Sequence, residues 1–207
     1  MAAGAEDAPP PPGREAPAEH PVEPLIRHRW SPRSFRDRPV PDAALASLLE
    51  AARWAASCSN AQPWHLVVAR RDREPEAHAR LLGCLSAGNQ RWAGAAPVLL
   101  LAVARTAFPQ AGRPNRHAGY DTGAAMAQLA LQAVALGLQV HQMGGFDAAA
   151  ARAAFGIPEG YEPMAAAALG HPGPAEALPE DLRARETAPR GRRAVAEFVH
   201  FGAWRAG

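Results

Sequence analysis

The feature that most constrains the fold of this chain is a near-continuous apolar run at residues 97–104, which contains no charged side chain. A run of this length and composition is typical of a central strand that is covered on both faces. Residues 121–136 form a longer, Ala- and Leu-rich segment, which favours a largely buried helix that ends at Gly137. Because strands and helices are expected to alternate along the chain, helices should cover both faces of one sheet.

The segments around these two runs predict the other elements of the fold. Pro41 and Asp42 are expected to open a helix, with Asp42 as its N-cap. The chain from His171 onwards is expected to be an irregular arm that lies on the domain rather than a domain of its own. The remaining predicted strands are 64–69, 138–143 and 162–169, and the remaining predicted helices are 76–85 and 147–156.

The domain organisation follows from a change in composition near residue 25. Residues 1–24 are rich in Ala, Pro and Glu, and four prolines stand in a row at positions 9–12. Such a segment buries little apolar surface, so it is expected to be a disordered tail. Residues 25–207 are then one domain with a C-terminal arm, and no internal repeat of 20–50 residues is visible.

The basic residues restrict the chemistry that this chain can perform. All 22 cationic side chains are arginine, and the chain has no lysine. This excludes a P-loop lysine, a Schiff-base lysine and a kinase-type lysine. A phosphate group would therefore have to be held by guanidinium groups or by backbone N–H groups.

Charge, cysteine and histidine content exclude further classes of protein. A formal net charge of +2 gives no general case for nucleic acid binding. Two cysteines without a C-x-x-C spacing, and eight scattered histidines, support neither a disulfide scaffold nor a metal site. We see no signal peptide and no apolar run long enough to span a membrane, so a cytoplasmic protein is expected.

Five short segments carry side chains that could hold a polar ligand: residues 27–35, 57–64, 88–93, 142–147 and 183–193. Each also has an interpretation without a ligand. The first could be a solvated basic segment, the second a loop that stops a helix, the third an ordinary loop, the fourth a tight turn and the last a solvated tail. No G-x-G-x-x-G follows any strand, which argues against a Rossmann dinucleotide site.

Taken together and in order, these segments resemble the FMN-dependent nitroreductase family. The resemblance spans about residues 25–204, and its most specific element is Asn60-x-Gln62-Pro63-Trp64 after the first long helix. Arg29-x-Ser31-x-Arg33 is fairly specific, whereas Gly144-Gly145 and the Arg190/Arg192 pair are weak alone. The resemblance implies an α+β fold, a three-layer α-β-α sandwich around a mixed, largely antiparallel sheet. It also implies an intertwined homodimer with two FMN molecules at its interface.

The resemblance further implies which residues contact the flavin. Arg29 and Ser31 would bind the phosphate, with Arg190 and Arg192 closing on it, and Arg33 would lie near N1 and O2 of the ring. The loop 57–60 would come from the other subunit, Asn89 would bind the pyrimidine edge, and the backbone N–H of Gly144 would point to N5. The full set of implied cofactor contacts is Arg29, Trp30, Ser31, Arg33, Ser57, Cys58, Ser59, Asn60, Gln62, Asn89, Gln142, Met143, Gly144, Gly145, Arg190 and Arg192.

Two functions remain open within this resemblance. The first is an oxidoreductase in which NADH or NADPH reduces FMN, and the flavin then reduces a nitroaromatic, a quinone or a related small acceptor in a ping-pong scheme. No protein nucleophile is evident, and none is needed. The second is a protein of the same fold that stores or sequesters FMN with little turnover. A third, unrelated reading, an Arg-tailed nucleic acid binder, is disfavoured by the near-neutral charge. Possible pocket-shaping side chains are Trp92, Phe108, His117 and Tyr120, with Trp92 equally suited to the core.

Overall fold

The computed structural model describes residues 14–110 and 112–205. Thirteen of the residues in the predicted tail, 1–13, lie outside this range. Among the described residues, no helix is both long enough and apolar enough to cross a bilayer. The helices are α1 (Pro24–His28), α2 (Asp42–Arg53), α3 (Pro75–Cys84), α4 (Ala87–Ala93), α5 (Ala118–Ala135), α6 (Ala148–Phe155) and α7 (Glu180–Thr187). The strands are β1 (Trp64–Arg70), β2 (Val98–Arg105), β3 (Gln139–Met143) and β4 (Tyr161–Gly170).

The four strands form one sheet in the order β1-β2-β4-β3. The apolar run expected at the centre is β2, and it pairs with β1 on one side and with β4 on the other. All three strand pairings are antiparallel within the described residues, where the resemblance implied a mixed sheet. β1 and β3 are therefore the two edges, separated by three inter-strand steps, or about 14 Å.

Side chains of β2 alternate between two hydrophobic cores, one on each face of the sheet. Leu99 and Leu101 face a core that is closed by α3, α4, α6 and α7. Leu100 faces the second core, which is closed by α2 and α5. Because consecutive strand side chains point to opposite faces, one apolar run supplies both cores. This arrangement confirms the predicted α+β class with helical layers on both sides of a sheet.

The predicted N-cap of α2 is wrong. Pro41 occupies the cap position, and Asp42 is the first helical residue. The Asp42 carboxylate accepts a hydrogen bond from the Arg70 guanidinium of β1, which lowers the pKa of Asp42. This long-range partner draws the carboxylate away from the helix end. Asp147, in contrast, caps α6, the helix predicted over 147–156, because its carboxylate accepts from the N–H of Ala150 at 2.9 Å.

Two segments expected to be irregular are helical. Residues 88–93 lie in α4, because Trp92 and Ala93 turn into the core on one face of a short helix. Trp92 is 4 % exposed and packs beside Phe35, so it belongs to the core. Helix α7 lies within the arm expected after His171. Its pattern is hard to recognise because the two buried side chains are one Leu and one charged residue, Glu186.

Gly170, the last residue of β4, meets a tightly packed proline. A Cβ there would lie 2.6 Å from Cδ and 2.8 Å from Cγ of Pro97, whose ring cannot rotate away. We expect Gly170→Ala to lower the free energy of unfolding by about 1–3 kcal/mol, because overpacking displaces the β2 and β4 backbones. The measurement is urea denaturation. Gly83→Ala on α3, where a Cβ meets nothing within 4 Å, is the matched control. Equal midpoints for both variants would refute the steric argument.

Candidate functional site

The segment 29–34 joins α1 to the core and carries the first group of predicted ligand contacts. Gln139, at the start of β3, holds its first part with both ends of its amide. The Gln139 Oε1 accepts from the backbone N–H of Trp30 at 3.1 Å, and its Nε2 donates to the carbonyl of His28 at 3.1 Å. Gln139 is 5 % exposed, so these bonds are shielded from water. The segment is thus fixed to the edge strand of the sheet.

His141, two residues further along β3, holds the middle of the same segment. Its Nδ1–H donates to the carbonyl of Pro32 at 2.8 Å, and its ring lies 4.4 Å from the Trp92 ring. A carbonyl only accepts hydrogen bonds, so the proton of the neutral ring is on Nδ1. Burial above all, together with the guanidinium groups of Arg33 and Arg185, lowers the pKa of His141 to about 4. The ring is therefore neutral at physiological pH.

Glu186 of α7 holds the end of the segment. Its carboxylate accepts from the backbone N–H of Arg33, at 3.0 Å to each oxygen, and from that of Ser34 at 3.3 Å. The Arg33 guanidinium lies 3.6 Å from the same carboxylate. Glu186 is 3 % exposed. A buried carboxylate with two backbone donors and one guanidinium is fully compensated, so it fixes both the backbone and the side chain of Arg33.

Arginine side chains with no carboxylate partner gather beside the start of this segment. The Arg29 guanidinium donates to Ser31 Oγ at 3.2 Å, and that of Arg190 donates to the Arg29 carbonyl at 2.8 Å. Burial, followed by Arg192, lowers the pKa of Arg29. Burial, followed by Arg29, Arg192 and Arg14, lowers the pKa of Arg190. Within the described part of the chain, none of these four arginines forms an ion pair. Their mutual repulsion favours an anion in this place.

An open pocket of about 720 Å³ lies against this cluster. Its polar wall is formed by Arg29 and by residues 190–193, and its apolar wall includes Ile26 and Phe198. Glu19 also lines the pocket, and within residues 14–205 as described it pairs with no arginine. The pocket is large enough for a drug-sized ligand and has its positive charge at one side.

Asn89 and Gly145 come together at the end of β3. The Asn89 Nδ2 donates to the Gly145 carbonyl at 3.0 Å, and the N–H of Ser86 donates to the same carbonyl at 2.9 Å. A Cβ on Gly145 would lie 2.9 Å from Asn89 Nδ2 and 2.9 Å from Ser86 Oγ, so a side chain here would displace both of these polar groups. Gly144 and Gln142 are exposed beside them, whereas Met143 is buried.

The loop at residues 57–62 lies elsewhere in the protomer. It precedes β1, at the edge of the sheet opposite to β3. Ser59, Asn60 and Gln62 have φ values of 52°, 51° and 46°, a left-handed conformation that is uncommon for residues other than glycine. The loop is held by the carboxylate of Asp121 in α5, which accepts from the N–H of Cys58 at 3.0 Å, and by Ser57 Oγ, which accepts from the N–H of Gln62 at 3.0 Å. Among the described residues, no hydrogen bond links the loop to the Arg29 cluster.

The structure thus brings together some of the predicted contacts and leaves others apart. Arg29, Ser31, Arg190 and Arg192 form one cluster, and Asn89 meets Gly145. Segment 29–34 connects the two groups through His141, which immediately precedes Gln142 on β3. The loop 57–62 stands alone within one chain.

Sequence reasoning missed Gln139, His141 and Glu186, three side chains of β3 and α7 that hold the segment 29–34. Gln139 and His141 are two apart on β3, and on a strand such residues share one face. That alternation was the available signal for the first two. Nothing in the sequence pairs Glu186 with positions about 150 residues earlier. Within the described ranges, no group of three or more His, Cys, Asp or Glu side chains is placed to hold a metal ion.

The depressed pKa of His141 predicts an acid-sensitive fold. Its folded-state pKa of about 4 lies below the usual value of 6.5, so its contribution to stability is complete above about pH 6.5 and is lost as the pH falls towards 4. We expect a loss of about 2–3 kcal/mol in unfolding free energy over that range. In His141→Gln the part of this free-energy loss that comes from His141 should vanish. The part that comes from the other buried histidines should remain. Urea denaturation across the range tests this, and parallel curves for both proteins would contradict it.

Comparison with known proteins agrees with a three-layer α+β fold. The model of the Nitroreductase family matches residues 26–85 and 70–171. A crystal structure described as an oxidoreductase containing FMN is 37% identical, with a TM-score of 0.86, over 92% of this chain and 96% of that one. A Leptothrix cholodnii protein provisionally named NADH dehydrogenase/NAD(P)H nitroreductase is 35% identical over 72% of this chain and 84% of its own. An uncharacterised 15.4 kDa protein of Mycolicibacterium smegmatis is 40% identical over 64% and 88%.

This chain belongs to the nitroreductase family, as the sequence motifs predicted. The family match ends at residue 171, so α7 with Glu186, and the arginines at 190 and 192, lie beyond it. The match begins at residue 26, so residues 14–25 lie before it.

Proposed function

We propose that this protein is an FMN-dependent oxidoreductase that takes electrons from NADH or NADPH. It passes them to a nitroaromatic, a quinone or a related small acceptor in a ping-pong reaction. The observation that carries the proposal is the group of Arg29, Arg190 and Arg192 beside Ser31, with no carboxylate partner among the described residues. A phosphate monoester supplies the missing negative charge, and guanidinium groups are its preferred partners in a chain without lysine.

The residues around this cluster fit the rest of a flavin nucleotide. The indole Nε1–H of Trp30 is buried and has no hydrogen-bond partner among the described residues, so it could donate to an acceptor on the cofactor. Arg33 is held firmly by Glu186, which suits a cation near the negative charge that a reduced flavin carries. Gly145 adds no side-chain bulk beside Asn89. We propose that Asn89 contacts the pyrimidine edge and Gly144 the central ring.

Bound FMN supplies the hydride chemistry, and the protein binds and orients it. Arg29 and Ser31 would fix the phosphate, and the rest of segment 29–34 would contact the remainder of the cofactor. Gln139, His141 and Glu186 would keep that segment still during turnover. Because the neutral His141 adds no charge beside Arg33, the positive potential is concentrated at the guanidinium groups.

We also propose that the active protein is a homodimer. The loop 57–62 has an ordered, strained backbone, and it lies across the sheet from the Arg29 cluster in its own chain. A second copy could bring the same loop to the flavin, as the resemblance implies. Residues near the C-terminus, Phe198, Phe201 and Trp204, are 52%, 85% and 83% exposed, which suits burial against another chain. Light scattering of the purified protein should give twice the mass of one chain, and a monomeric mass would refute the proposal.

The proposed activity is tested with the absorbance spectrum of the purified protein, followed by anaerobic addition of NADH and then NADPH. Flavin bands that bleach with either nucleotide are the expected result, and the faster nucleotide identifies the donor. Bands that persist with both would favour an FMN store over a reductase. A colourless protein that gains no bands after incubation with FMN would overturn the proposal.

A further inference from the structure

We infer that residues 14–22, here called the N-terminal strap, form a wall of the phosphate pocket, and that Arg14 is a positioning residue for FMN binding. The strap lies upstream of the family match, which begins at residue 26. The inference rests on the proposed function, because it assigns the strap to the flavin phosphate. It also assigns residues 14–24, which the sequence placed in the tail, to the folded domain.

Arg14 attaches the strap to the end of α7. Its guanidinium donates to the carbonyls of Glu186 and Ala188, the latter at 2.8 Å. The same guanidinium lies over the Trp30 ring, 5.4 Å from its centroid. The last carbonyls of a helix have no partner within the helix, and a cation there is favoured by the helix dipole. Arg14 therefore joins α7, whose Glu186 carboxylate holds Arg33, to Trp30 in the segment 29–34.

Arg190 makes the reciprocal contact from the arginine cluster to the strap. Its guanidinium donates to the carbonyl of Arg14 and to those of Arg27 at 3.1 Å and Arg29 at 2.8 Å. Three carbonyls on two separate segments thus set the position of one phosphate-facing cation. If the strap leaves, Arg190 loses one of these acceptors, and its side chain regains rotational freedom.

The remainder of the strap lines the same pocket as the arginines. The N–H of Ala16 donates to the Arg27 carbonyl at 2.9 Å, and Glu15 pairs with Arg27 at 2.6 Å. Strap residues Ala16, Pro17, Ala18, Glu19, His20 and Val22 line the pocket that Arg29 and Arg192 also line. Such a wall keeps water from the half-buried Arg29, and a charge interaction gains strength as water is excluded.

The strap's composition explains why it depends on Arg14. Six of its nine residues are Ala, Pro or Glu, and Val22 is its one large aliphatic side chain, so burial alone cannot hold it. Its attachment consists of charged side chains and backbone hydrogen bonds. Removing the Arg14 guanidinium deletes both bonds to α7 and the contact with Trp30 together.

The test compares flavins with and without phosphate on the apoprotein. FMN and riboflavin are titrated separately, and quenching of flavin fluorescence gives each Kd. In Arg14→Gln we expect the Kd for FMN to rise about tenfold, a loss of the size of one charge-assisted hydrogen bond. The Kd for riboflavin should change less than about twofold, because riboflavin carries no phosphate. A chain lacking residues 1–22 should show the same pattern with at least as large an effect.

Arg80→Gln is the matched control, because Arg80 is exposed on α3 and its removal changes the net charge equally. It should leave both dissociation constants unchanged. If FMN binds the wild type but Arg14→Gln and the truncated chain bind it equally well, the strap inference falls and the proposed function stands. If both flavins weaken together, the strap acts on the fold and the inference is overturned. If the wild type binds no FMN, the proposed function itself fails.

Discussion

Replacing Glu186 with leucine should lower the free energy of unfolding by about 3 kcal/mol and remove most FMN binding. The carboxylate accepts from the backbone N–H groups of Arg33 and Ser34 and balances the Arg33 guanidinium, all in a place almost closed to water. Leucine fills similar space but leaves these donors without a partner, and a buried unsatisfied donor costs about 1–3 kcal/mol. Segment 29–34 would then lose the carboxylate that holds its end, and with it the fixed position of Arg33.

The measurements are urea denaturation and FMN titration of the same preparations. Glu186→Gln keeps one oxygen acceptor and should fall between the wild type and the leucine variant. Glu180→Gln, on the exposed side of α7, should stay within about 0.5 kcal/mol of the wild type. A leucine variant as stable as the wild type would show that segment 29–34 keeps its conformation without the Glu186 carboxylate.

Replacing Arg29 with alanine should weaken FMN binding by between about tenfold and a hundredfold, with little change in riboflavin binding. Arg29 is the arginine that the structure places both against Ser31 and at the wall of the pocket. Removing it deletes a half-buried guanidinium that no carboxylate among the described residues compensates. The fold should not suffer, because the remaining arginines then repel each other less.

Arg29→Ala should therefore lose affinity for FMN without losing stability, whereas a variant with a damaged fold would lose both. The apoprotein of Arg29→Ala should be as stable as the wild type or slightly more stable, while its affinity for FMN falls. Higher salt should reduce the difference in FMN affinity between the wild type and Arg29→Ala, because ions screen exposed charge. Arg80→Ala serves as the control for net charge. If Arg29→Ala binds FMN as tightly as the wild type does, the phosphate lies elsewhere and the assignment of the cluster is wrong.

Much of the fold could be predicted because its signals are local. The uncharged run at β2, the glycine after α5 at a φ of 67°, and the cap at Asp147 each act on a few neighbouring residues. The prediction that Asp42 is a cap was wrong because its carboxylate binds Arg70, which is distant in sequence on β1. Helix α7 was missed because its inward face holds Glu186, and a charged residue does not show in an apolar pattern.

For the candidate site, too, the sequence identified the residue types, and the tertiary structure determined how they are arranged. Sequence motifs identified which arginines, serines, amides and glycines to consider, and the missing lysines determined that a phosphate must meet guanidinium groups. Only the tertiary structure decided that Arg29, Arg190 and Arg192 lie together, that loop 57–62 lies across the sheet, and that Arg14 reaches α7. Residue types and short-range backbone preferences are properties of a few adjacent positions. Contacts between residues 14, 29 and 190 depend on how the whole sheet and its two helical layers pack, and a linear pattern carries no record of that.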